Sequence, residues 1–133
     1  MKRDDEKRLL QWGVAVAALV PITFGTIGVV RGGAWLTHGS AAPDLDSHFR
    51  YLSGIFLMMG LAFASCVPEI ERMGPRFRLL GILVVAGGLA RALSLLTVGT
   101  PSGGHFAGLV MELAVLPLLM VWQTRVAKRF AGE

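Results

Sequence analysis

Four apolar runs, each about as long as a bilayer is thick, leave this chain few folds. They cover Leu9–Val30, about Ser47–Val67, Phe77–Gly99 and Gly104–Gln123. A hydrocarbon core of roughly 30 Å takes about 20 helical residues. In a water-soluble bundle, polar residues would return every three or four positions to form an outer face. Here "GILVVAGGLA" and "GLVMELAVLPLLMVW" are apolar nearly all round. With lipid as the surrounding solvent, each helix must satisfy its own backbone hydrogen bonds. The expected fold is all-α: a single integral membrane domain over residues 1–133, formed as an antiparallel four-helix transmembrane bundle. Its helices are expected at about 9–30, 47–67, 77–99 and 104–123.

The N-terminal "MKRDDEKR" and the apolar run after it resemble a signal peptide. Leu9–Val30 is too long for the apolar region of such a peptide and carries Pro21 in its middle, so it is read as a retained span. Charge placement sets orientation. Lys2, Arg3, Lys7 and Arg8 precede the first run, Arg72, Arg76 and Arg78 lie at the second link, and Arg125, Lys128 and Arg129 follow the fourth run. These are ten of the thirteen basic residues, all on one side, which the positive-inside rule makes cytoplasmic together with both termini. Net charge +4 and a pI near 10 therefore follow from topology, and no nucleic-acid partner is expected.

The longest connection, "RGGAWLTHGSAAPDLD", lies on the outer side, where Trp35 and Leu36 suit the membrane interface. Tight "TPSGG" makes the third and fourth helices antiparallel neighbours. Pro21 and Pro117 each remove one backbone donor within a helix. Cys66, the only cysteine, is read as a small packing residue.

One arginine, Arg91, interrupts the third apolar run. It lies eight residues before Gly99, and Glu112 lies eight residues after Gly104. Both are thus about 12 Å below the outer boundary at 1.5 Å per residue. Opposite charges at equal depth on adjacent antiparallel helices are expected to pair, through a two-point guanidinium–carboxylate fork. Left alone, an arginine there would cost at least about 2.5–3.5 kcal/mol. Thr23 falls at a similar depth. Arg50 and Ser53 share a face with Asp46, Ser94 aligns with Arg91 and Gly87, and His105 aligns with Gly108 and Glu112. His48 lies near the outer interface. The cytoplasmic halves, rich in leucine and methionine, read as a dry seal.

These features suggest an outward-facing polar pocket floored by Arg91 and Glu112. The candidate ligand-binding residues are Arg91, Glu112, Arg50, His48, Ser94, Thr23, Ser53 and His105, with Arg91 and Arg50 as anion anchors and Glu112 as countercharge. No metal or cofactor is expected, because His48 and His105 lack ligand spacing. No nucleophile–base pair or phosphate loop is visible, so no catalytic residue is assigned. Gly28–Gly32 and Gly104–Gly108 match the GxxxG spacing of associating membrane helices, at helix ends.

"DSHFRYLSGIFLMMGLAF", "PEIERMGPRFRLLGILVVAGGLARALSL" and "GLVMELAVLPLLMVWQTRVA" together resemble a family of small bacterial four-helix membrane proteins that carries no assigned function. The resemblance spans about Gly25 to Ala127. Its pattern appears as His48, Phe49, Arg50, Gly54, Glu71, Arg72, Gly87, Gly88, Arg91, Ser94, Gly99, Pro101 and Glu112. It implies a bacterial inner-membrane protein and supplies no reaction. A looser likeness to the DoxX-like four-helix membrane proteins, some linked to quinone-coupled respiratory chemistry, is an analogy of fold.

The leading expectation is a binding protein for a small amphipathic or anionic ligand or a lipid. The first alternative is a membrane scaffold or regulatory subunit, bound to a membrane-protein partner or a second copy, with a purely structural ion pair. The second is an enzyme or proton-coupled transporter using Glu112. That role needs a carboxyl group that is neutral part of the time, which a neighbouring arginine opposes.

Overall fold

The computed structural model describes residues 2–132 and is all-helical, with no strand among them. Helix α1 is Arg3–Arg31, α2 is Gly33–Thr37, α3 is Pro43–Ala64 and α4 is Gly74–Thr97. The last rod runs from α5, Gly103–Val110, through one turn of π-helix at Met111–Val115 into α6, Leu116–Ala131. Three rods, Arg3–Arg31, Gly74–Thr97 and Gly103–Ala131, are long and apolar enough to cross a membrane. Helix α3 has 22 residues, but Asp44, Asp46, His48 and Arg50 occupy its first two turns.

Several expected boundaries move, each for a local reason. Helix α1 starts six residues before Leu9 because Asp4, Asp5 and Glu6 suit a helix N-terminus. Helix α3 starts at Pro43, whose fixed φ favours the first helical position, and stops at Ala64 rather than Val67. Helix α6 continues past Gln123 to Ala131, with Lys128 and Arg129 complementing the negative end of its dipole. The short α2 occupies a connection expected to be irregular.

The chain divides into two compact units. One comprises the chain up to Gln11 together with Pro68 onward, and the other is Trp12–Val67.

In the Trp12–Val67 unit, glycines let α1 and α3 touch backbone to backbone, antiparallel. A Cβ on Gly25 would lie 2.6 Å from the Leu57 nitrogen, and one on Gly60 would lie 2.9 Å from the Ile22 nitrogen. Gly28 faces Ser53. Gly28 and Gly32 thus both serve contacts within the chain. Gly32 also has φ +65°, which only glycine adopts without strain, and a Cβ there would strike Asp46 Oδ1. Trp35 on α2 lies 6.2 Å from Phe24 and 6.4 Å from Phe49, measured between ring centres. The Gly33 N–H donates to Asp46 Oδ1 at 2.8 Å.

In the other unit, a glycine heptad sets the spacing. Gly74, Gly81 and Gly88 are the buried small residues of α4. They face Gln123, Met120 and the Glu112–Leu113 pair respectively. Small residues allow the close approach that dispersion requires when lipid removes the hydrophobic drive between helices. Meanwhile Leu79, Ile82, Leu83, Leu89, Leu93 and Leu96 are exposed. Glycines inside and leucines outside is the arrangement a hydrocarbon surround favours. Thr26, Thr97 and Thr124 direct their hydroxyls to carbonyls four residues back, which removes a free donor from each apolar surface.

The π turn has a visible cause. Pro117 has no N–H for the Leu113 carbonyl, and its ring would crowd that carbonyl in a regular α-helix. The chain widens instead, and the Leu116 N–H bonds to Met111 O, five residues back.

Candidate functional site: an ion pair beside a π turn

Arg91 and Glu112 meet within one unit. The approach is set by Gly88, one turn before Arg91 on α4. A Cβ there would lie 2.9 Å from Glu112 Cβ and 2.7 Å from Leu113 Cδ2. Gly87, expected to share this stripe, has nothing within 4 Å, and neither does Gly108. The phase therefore differs by one residue from the expected alignment, and Gly88 is the contact residue.

The two-point fork does not form. Arg91 Nε donates to Glu112 Oε1 at 3.1 Å and lies 3.0 Å from Oε2. Oε2 is buried and accepts no hydrogen bond. Because Gly88 draws the carboxylate close to α4, it meets the inner edge of the guanidinium, and the long arginine stem carries the outer edge past it. Both terminal amino groups of Arg91 are without a hydrogen bond among the described residues. The Arg91 side chain is 40% exposed and that of Glu112 is 11% exposed.

The other expected site residues divide. Ser94, one turn beyond Arg91, is exposed. His105 Nδ1 and Ser102 Oγ share a hydrogen bond at 2.9 Å, at the start of α5. In the Trp12–Val67 unit, Thr23 and His48 are exposed and Ser53 is buried against Gly28. Arg50 is committed to the fold. Its Nε binds Asp46 Oδ2 at 2.8 Å, and its Nη1 donates to the Val29 and Val30 carbonyls at 2.5 and 3.2 Å. It thereby satisfies the orphan carbonyls at the end of α1. Nε and one terminal amino group of Arg50 are thus taken up by Asp46 and the end of α1. Among the described residues no group of three or more His, Cys, Asp or Glu could hold a metal.

Arg50 holds the Asp46 carboxyl below the usual carboxylate range, helped by the Gly33 N–H. A depressed carboxyl contributes stability above its unfolded value near 3.8 and loses it as pH falls through the lower folded value. Protection of the Gly33 amide against hydrogen exchange, corrected for intrinsic rate, should therefore hold at neutral pH and fall below about pH 3.8. Asp46→Asn should abolish that acid dependence. Unchanged protection through this range would contradict the assignment.

A second cluster, not marked by any spacing in the sequence, surrounds Glu6. Glu6 is 2% exposed. Its Oε1 accepts from Trp122 Nε1 at 3.3 Å and lies 3.2 Å from Arg125 Nε, while Oε2 pairs with Arg129. Lys7 pairs with Glu71 at 2.9 Å, and Gln123 Nε2 donates to Ile70 O at 2.8 Å. Gln123 had a legible signal: it falls in step with the buried Leu116, Leu119 and Val126. Glu6 had none, since it reads as one charge among many.

A family profile described as a domain of unknown function (DUF4345) matches residues 9–123. No curated protein matches the chain, and no solved structure matches it.

Proposed function

This chain belongs to that family of unknown function, and we propose that it is a multi-pass protein of the bacterial inner membrane that binds a small amphipathic or anionic molecule, or a lipid, at Arg91–Glu112. One observation carries the reading. Arg91 sits inside an apolar rod with its counter-ion adjacent, yet both its terminal amino groups are without a hydrogen bond among the described residues. A pair kept only for structure gains most from the two-point fork, because unpaired donors are costly in hydrocarbon. The free edge of the guanidinium suits a phosphate, a carboxylate or an ester carbonyl, and the exposed Ser94 adds a hydroxyl one turn away. The π turn at Glu112 fits as well, since such turns are frequent at functional sites.

In this reading α3 is the fourth span, its polar first turns lie at the outer interface, and the bundle is antiparallel with both termini cytoplasmic. Two features support it. Each unit holds an antiparallel helix pair, and the N-terminal turn of α1, the segment around Glu71 and the end of α6 share one charged cluster.

Native mass spectrometry of the protein released from mild detergent tests the binding. The wild type should carry a stoichiometric non-protein adduct. Arg91→Met combined with Glu112→Leu, which removes both charges together, should lose it while remaining folded. Adducts unchanged in mass, number and occupancy on the double variant, measured in the Lys128→Gln background, would refute the proposal and leave the scaffold reading.

A further inference from the structure

We propose that the α6 face formed by Val121, Thr124, Arg125, Lys128 and Arg129 is a binding site for the phosphate headgroup of an anionic phospholipid. These residues line a shallow groove of about 510 Å³. They lie within roughly 140° of helix circumference at 100° per residue, so they form one stripe. The stripe changes character along its length. Leu118 and Val121, about 70% exposed, lie at its apolar end, and Arg125, Lys128 and Arg129 lie at the other. An acyl chain along the first part would bring its own phosphate to the second.

The cations are placed for an outside partner. Arg125 uses Nε, and Arg129 uses Nη1, to hold Glu6. Their side chains are otherwise well exposed. Lys128 forms no ion pair among the described residues. Three positive charges against the single Glu6 carboxylate leave two in excess. That outweighs the half-charge of the α6 dipole, whose negative end lies here. Charge complementarity and position together select the occupant. The rod Gly103–Ala131 is long and apolar enough to span a membrane, and the groove begins where its apolar stretch ends, which in a spanning helix is the level of the headgroups. The site is separate from Arg91–Glu112 and does not depend on it.

The test uses the full chain in dodecyl maltoside, titrated with phosphatidylglycerol or phosphatidylcholine and read by native mass spectrometry. One phosphatidylglycerol should bind at least fivefold more tightly than phosphatidylcholine. Lys128→Gln should weaken it about fivefold, the equivalent of the ~1 kcal/mol that one basic residue contributes near an anionic surface. Lys128 takes no part in holding Glu6, so this variant should fold. Arg76→Gln, an exposed cation outside the groove, should leave the preference intact. Inorganic phosphate at millimolar concentration should not displace the lipid. Three results would each overturn the proposal: equal affinity for the two lipids, equal losses in Lys128→Gln and Arg76→Gln, or displacement by free phosphate, which would make the site one for a soluble anion.

Discussion

Arg91→Met should destabilise the protein by about 2.5–3.5 kcal/mol, the scale of a charge left alone at depth. Adding Glu112→Leu should recover much of that loss. The two single variants should also differ. Glu112→Leu leaves an arginine whose long stem is already 40% exposed and can reach toward the interface. Arg91→Met leaves a short carboxylate that is 11% exposed and pressed against Gly88, with no such escape. The loss should therefore be larger for Arg91→Met. Unfolding in bicelles by added denaturing detergent, across the full double-mutant cycle, measures both effects. A coupling of at least about 1 kcal/mol is expected for groups in contact. Strict additivity would mean that the two groups do not interact in the membrane.

Gly25→Val should be comparably damaging, by a different route. The added Cβ would meet the backbone of Leu57, with its nitrogen at 2.6 Å and its Cα at 2.8 Å. A backbone cannot swing aside as a side-chain tip can. Helices α1 and α3 must move apart, and the Gly28–Ser53 and Gly60–Ile22 contacts loosen with them. Overpacking typically costs about 1–3 kcal/mol, and here the upper end is expected. Gly87→Ala supplies the contrast. Nothing lies within 4 Å of that position, so a gain of up to about 1 kcal/mol in helix propensity should appear instead. Thermal melts in the same detergent compare them. Equal effects at the two positions would refute the claim that backbone contact at Gly25 sets the helix spacing.

The Arg91–Glu112 pair was legible because depth in a membrane helix is a count of residues. Both ends of each rod were marked by glycine and proline turns, and opposite charges in hydrocarbon have little alternative to each other. The manner of pairing was not legible. It depends on which of two adjacent glycines faces the neighbour and on the extra residue that Pro117 forces into the helix as a π turn. Gly87 was expected because it lies four residues before Arg91 on one face, but it is Gly88 that meets Glu112 and Leu113, and a long arginine side chain reaches its partner from outside the contact stripe.

The roles of Arg50 and Glu6 show the same limit from the other side. Arg50 was expected as an anion anchor on one face with Asp46, and Glu6 reads as one surface charge among several. Arg50 finds the carbonyl end of α1 some twenty residues away, and Glu6 finds Arg125 and Arg129 more than a hundred residues away.

By itself the sequence determined the helical state of the backbone, the rods long and apolar enough to cross a membrane and the position of Arg91 and Glu112 along them, because hydropathy and hydrogen-bond satisfaction act over one helix at a time. Only the tertiary structure decided which faces touch, which donors remain free and which charges are used up in holding the fold. Those outcomes depend on contacts of a few ångströms between segments far apart in the chain.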